Sequence, residues 1–132
     1  FDEQISLATR FDLPLIIHSV QATEDVTDLL KSHSKSRGVI HAYSGSIQQA
    51  ENLLKINFSF GFGNTLTNPQ AYKLHDIVKF LPMESIVIET DDHKNPDELI
   101  QVAERVARIK KLTVDQVIEQ CDQNTRNIFN ID

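Results

Sequence analysis

The sequence predicts an α/β fold made of parallel strand-helix units, and three observations carry the prediction. Short apolar runs alternate with helix-patterned segments four times along the 132 residues. Three of those runs finish on a metal-ligating side chain: Leu15 to His18, Val39 to His41, and Ile86 to Asp91. No shift in composition splits the chain, so residues 1–132 read as a single domain.

Taken in order, Phe1, Ile5, Ala8 and Phe11 recur at helical spacing, and Asp12-Leu13-Pro14 ends that helix. The first strand runs from Leu15 to His18. A helix from Thr23 to His33 follows, with Val26, Leu29 and Leu30 inward. Ser34 to Gly38 is a polar loop into the second strand, Val39 to Tyr43. Ser46 is the expected N-cap of a helix from Ile47 to Lys55. Residues 57–63 alternate as a third strand, and Pro69 sits in the first turn of a helix from Gln70 to Leu81. Pro82 precedes the fourth strand, Ser85 to Thr90. Asn95-Pro96 opens a long helix through Lys110, with Leu99, Val102, Ala103, Val106 and Ile109 inward. Thr113 caps a further helix to about Cys121, and Asn124 to Phe129 reads as a last short one.

Composition narrows the function. Lys and Arg number 13 against 19 Asp and Glu, a net charge of −6, so binding of nucleic acid by surface charge alone is disfavoured and needs local compensation such as a metal. Cys121 is the only cysteine, which excludes an internal disulfide and points to a reducing cytoplasm. There is no run of 18 apolar residues, hence no expected membrane span. The N-terminus lacks a signal-peptide pattern and an initiator methionine, and it opens inside a helical pattern, as a fragment or processed chain would.

Strand alternation places His18 with Ile16, His41 with Val39 and Tyr43, and Asp91 with Glu89 and Val87. Faces pointing into a barrel would bring the three ligands together at its C-terminal mouth. Imidazole and carboxylate suit Zn, Mn and similar ions, whereas Mg prefers oxygen. Glu89 is a candidate acceptor for a histidine N–H. Taken singly, each histidine reads as a satisfied core residue; the matching strand-end positions are what point to a metal. His33 and His75 read as exposed helix residues, Cys121 as a small buried one, and Ser44 and Ser46 as capping or phosphate-binding residues. Gly61 and Gly63 mark either a close ligand approach or a bulge.

With these residues in view, the sequence resembles the TatD family of metal-dependent deoxyribonucleases over essentially its whole length. Pro14 to Ser19 resembles that family's fifth-strand histidine motif. Gly38 to Ser46 resembles its His-x-Phe-Ser-Gly-Ser motif, with Tyr43 for Phe, and Glu89-Thr90-Asp91 its Glu-Thr-Asp motif. Asn95-Pro96 and Asn124 with Phe129 match as well. The resemblance implies part of a TIM-type (β/α) barrel of the amidohydrolase kind, with four of eight strands, and hydrolysis of DNA phosphodiester bonds with divalent metal (Mg, Mn or Zn). It carries over His18, His41 and Asp91 as metal ligands, with Asp91 also the candidate catalytic residue.

The departures matter too. The family's first-strand His-x-His pair and its Gly-Glu-x-Gly-Leu-Asp glutamate have no counterpart here. Val20 replaces an Arg, and the loop after Asp91 shrinks to Asp92-His93-Lys94. The chain therefore resembles the C-terminal half of the barrel, keeping three ligand positions and lacking three. Weak or absent nuclease activity is expected of the isolated chain. The alternative is a non-catalytic, metal-binding half-barrel that pairs with a partner chain. Open edges and an inner face carrying Ile16, Val39, Tyr43, Phe60 and Val87 predict association, as a homodimer or with a complementary N-terminal half.

Overall fold

The computed structural model describes residues 2–18, 23–33, 35–90 and 96–131, apart from the side chains of Asp2, Thr23 and Glu24. Four strands, β1 (Leu15–His18), β2 (Gly38–His41), β3 (Phe58–Phe62) and β4 (Ile86–Ile88), form one sheet in chain order. All three pairings are parallel. The helices are α1 (Asp2–Arg10), α2 (Thr23–Lys31), α3 (Ile47–Leu54), α4 (Tyr72–Phe80), α5 (Asp97–Lys110) and α6 (Val114–Phe129). No helix among the described residues is long and apolar enough to cross a membrane.

In a parallel sheet, residues in register point the same way. Ile17, Ile40, Phe60 and Ile86 are in register and buried, and they form the main core with Ile5, Leu30, Leu53, Val78, Val102 and Val117 of the helices. The opposite face carries Ile16, Val39 and Ser59 in one row, His18 and His41 in another, and Gly61 beside Val87. Val39 and Val87 are buried there but lie outside the main core.

Phe60 therefore does not belong to the inner face. The three phenylalanines of β3 alternate with Ser59 and Gly61, and the helix side is where so much apolar area is buried. Tyr43 leaves the inner face as well. Ala42 has φ +49°, which interrupts strand alternation, and the Tyr43 ring meets Phe60 edge-on at 4.9 Å and 81°.

Three helix boundaries also differ. Residues 69–70 form a turn in which Asn68 Oδ1 accepts from the Gln70 N–H at 2.9 Å, so α4 starts at Tyr72, beyond Pro69. A 3₁₀ turn, Asn64–Thr67, precedes it. The two expected terminal helices are one, capped by a reciprocal Thr113–Gln116 box. Asn124 does not start a helix. It is buried inside α6, and its Nδ2 donates to the carbonyls of Met83 at 2.7 Å and Ile86 at 2.8 Å. Asn124→Ala would strip partners from those two carbonyls and is expected to destabilise the fold by about 2–3 kcal/mol, read as a lower urea midpoint.

His75 is half-buried, with Nε2 3.0 Å from the Leu66 carbonyl, and His33 is half-buried too, so neither is the exposed residue expected. Cys121 is buried, and burial pushes its thiol up to about 11.

Candidate metal centre

Parallel pairing of β1 with β2 sets His18 opposite His41 at the C-terminal ends of both strands. The imidazole centroids are 5.1 Å apart and the planes tilt by 39°. His18 is exposed and His41 half-buried, so both rings stand at the rim rather than in the core.

Glu89 follows β4, held by its N–H donating to the Phe62 carbonyl at 2.9 Å. Its carboxylate reaches across β3 to β2. Oε2 lies 2.8 Å from His41 Nδ1, and Oε1 accepts the Ala42 N–H at 2.6 Å. This crossing requires Gly61: a Cβ there would stand 2.2 Å from Glu89 Oε2. Of the two readings that the sequence left for Gly61, close approach is the observed one, and what approaches is the chain's own carboxylate. Glu89 fills the acceptor role expected of it. With Nδ1 engaged by a carboxylate, the tautomer and the ring plane of His41 are fixed, the usual arrangement behind a metal-binding imidazole.

The turn after His41 is held just as firmly. Ala42 adopts the left-handed conformation at a cost of about 1–2 kcal/mol. Tyr43 N–H donates to the Gly61 carbonyl at 3.0 Å, and Tyr43 Oη donates to the Ser46 carbonyl at 2.6 Å. Burial drives the Tyr43 hydroxyl well above its ordinary ionisation range. Ser46 and Gln49 form a capping box on α3, so Ser46 caps a helix.

Asp91 lies outside the described residues. Next to Glu89, Thr90 donates to the Glu98 carboxylate beside a polar cavity of about 270 Å³ that Asn64 and Thr65 also line. Sequence reasoning missed Asn64 and Glu98, because they come from separate elements and share no spacing. Among the described residues no group of three or more His, Cys, Asp or Glu side chains is placed to hold a metal. The imidazole pair fits a borderline divalent ion by its chemistry and leaves the rest of the shell to other ligands.

Gly61→Ala is expected to expel the Glu89 carboxylate while leaving the fold intact, since the clash is with the end of a flexible side chain. Loss of the His41–Glu89 pairing, with little change in melting temperature, would appear in the imidazole nitrogen shifts of His41.

A family model described as TatD related DNase matches residues 1–130. The chain belongs to the TatD family. Its sequence is 33% identical over 142 residues to an uncharacterized metal-dependent hydrolase of Escherichia coli K12, YjjV, covering 98% of this chain and 55% of that protein. The crystal structure of that TatD homologue superposes with a TM-score of 0.89 at 31% identity, over 99% of this chain and 55% of the other. The human 3'-5' RNA nuclease TATDN2 is 26% identical over 149 residues, which covers 99% of this chain and 20% of that protein. This TatD chain thus spans about half the length of the bacterial relative, and its parallel strands and helices are a partial TatD-type (β/α) barrel.

Proposed function

We propose that this TatD chain carries one wall of a divalent-metal centre that hydrolyses phosphodiester bonds of nucleic acid, with DNA as the substrate. One observation carries the reading: two imidazoles lie side by side at the C-terminal rim, one of them oriented by a carboxylate. Family membership and relatives described as a metal-dependent hydrolase and an RNA nuclease support it.

His18, His41 and Asp91 are the protein ligands in this reading, and Asp91 also acts at the reacting centre. A bound divalent ion supplies Lewis-acid polarisation of a phosphoryl oxygen and a lowered pKa for water. His41 offers Nε2 because Glu89 engages Nδ1. Glu89 holds both the ring and the Ala42 amide, so rim geometry is fixed before substrate arrives. The buried free thiol of Cys121 agrees with a reducing cytoplasm as the place of action.

Both partners of the Glu89 carboxylate among the described residues are donors, so Glu89→Gln must turn its amide NH₂ toward one of them. The expected loss is about 10–100-fold in Mn²⁺ affinity, with the fold unchanged. The reading itself is tested by titrating Mn²⁺ into the protein and following the imidazole proton resonances. His18 and His41 should broaden together, ahead of His33 and His75. Failure of both to broaden at millimolar Mn²⁺ removes the proposed centre. A second reading, a metal-binding half-barrel without turnover, is favoured by the two-imidazole set among the described residues. Paired broadening without cleavage of oligonucleotides, even when the chain is joined to a complementary N-terminal half, would select it.

A further inference from the structure

We propose, resting on the metal reading above, that Glu98 is a positioning residue: by accepting the Thr90 hydroxyl it fixes the backbone that carries Asp91, and so sets how firmly Asp91 holds the divalent ion. Glu89 and Thr90 follow β4 one after the other. Glu89 is held at its amide by the Phe62 carbonyl and at its carboxylate by His41 and the Ala42 amide. Thr90 is held by its side chain, whose Oγ1 donates to the Glu98 carboxylate. A planar peptide joins Thr90 to Asp91, so anchoring Thr90 limits where the Asp91 carboxylate can go.

The anchor is itself well fixed. Glu98 lies in the first turn of α5, whose Val102, Ala103, Val106 and Ala107 are buried. Arg105 Nη2 donates to the Thr67 carbonyl at 3.2 Å, and Lys110 Nζ donates to the Lys79 carbonyl at 3.1 Å, so α5 is pinned both to the 3₁₀ turn and to the end of α4. A carboxylate early in a helix also suits the helix dipole. Asp97, exposed in the same turn, meets that need, whereas Glu98 is half-buried and reaches eight residues back to Thr90. Nor is Glu98 placed to receive a phosphate. It shares the polar cavity with Glu89, and no Lys or Arg is among the described residues that line it. An anion would meet two carboxylates there, which leaves Thr90 as what Glu98 serves.

The test is a Mn²⁺ titration of the full chain, read from the His18 and His41 imidazole resonances, with melting temperatures followed alongside. Glu98→Ala should weaken Mn²⁺ binding about tenfold, the lower end of what losing a group behind a ligand costs. Glu98→Gln keeps an acceptor for the Thr90 hydroxyl and should stay within about twofold of the unaltered chain. Thr90→Val removes the donor, leaves α5 untouched and should match Glu98→Ala. The two losses should not multiply, so the combined variant should bind as either single one does. If Glu98→Ala lowers the melting temperature, Thr90→Val decides. Unchanged affinity in both single variants would overturn the inference. So would a loss in Glu98→Gln as large as in Glu98→Ala, since the ion would then feel the Glu98 charge directly, or losses that multiply in the combined variant. Failure of His18 and His41 to broaden in the unaltered chain is a different result: it removes the metal reading, and the role of Glu98 with it.

Discussion

Replacing His41 with alanine in the chain joined to a complementary N-terminal half is expected to lower kcat/KM for a single-stranded oligonucleotide by more than about 100-fold, the upper end of what losing a partner behind a ligand costs. The residue does two things at once. Its ring stands at the rim beside His18, and through Nδ1 it ties the end of β2 to Glu89 beyond β4. Alanine removes the donor and leaves the half-buried Glu89 carboxylate with the Ala42 amide. Cleavage in Mn²⁺ under single-turnover conditions measures the loss. Cys121 reports whether the fold survives. Its folded thiol, pushed up to about 11, stays protonated and slow to alkylate near pH 8, and unfolding would return it to the ordinary range and speed the reaction. Slow alkylation together with lost cleavage assigns the effect to the site. Retained cleavage would remove His41 from the proposed chemistry.

The second large effect is on stability. Gly38 opens β2 at φ +153°, and a Cβ there would stand 1.9 Å from the Leu15 carbonyl oxygen and 2.7 Å from the Leu15 nitrogen. Both obstacles are backbone of the neighbouring strand, so relief means moving β1 away from β2. Left-handed strain and overpacking each cost roughly 1–3 kcal/mol, so Gly38→Ala is expected to destabilise by about 2–5 kcal/mol. For a chain of this size that lowers the melting temperature by roughly 10 °C or more. The contrast with Gly61→Ala is the useful part. There the obstacle is a flexible carboxylate, and the site suffers while the fold does not. Equal melting temperatures for the two variants would contradict both arguments.

The strands and their order were legible because each is a short apolar run between breakers, and parallel units leave little choice of topology. The histidine pair was legible for the same reason: His18 and His41 end their strands, and strand pairing turned that likeness into a 5.1 Å approach. Other features depended on contacts that the sequence does not display. Phe60 reads equally well on either face until its register with Ile40 and Ile86 is known. Asn124 has the residue type of an N-cap, and only its distance to the Met83 and Ile86 carbonyls shows that it works inside a helix. The left-handed Ala42 carries no local signature, since alanine has no special preference for that conformation. Its amide is held by Glu89, just beyond β4, and the next amide, that of Tyr43, by the Gly61 carbonyl of β3.

The strand order β1-β2-β3-β4 also governs how the chain acquires its structure. Parallel pairing is slow when the partners are far apart in sequence, because loop closure precedes any reward. Here each strand pairs with the one synthesised just before it, across a single crossover helix. Within this sheet, assembly can therefore run from β1 to β4 in chain order, each new unit docking on a surface already made. Asn124 follows β4 in the chain: once α6 has formed, its amide reaches back to the Met83 and Ile86 carbonyls at the base of β4 and latches that strand.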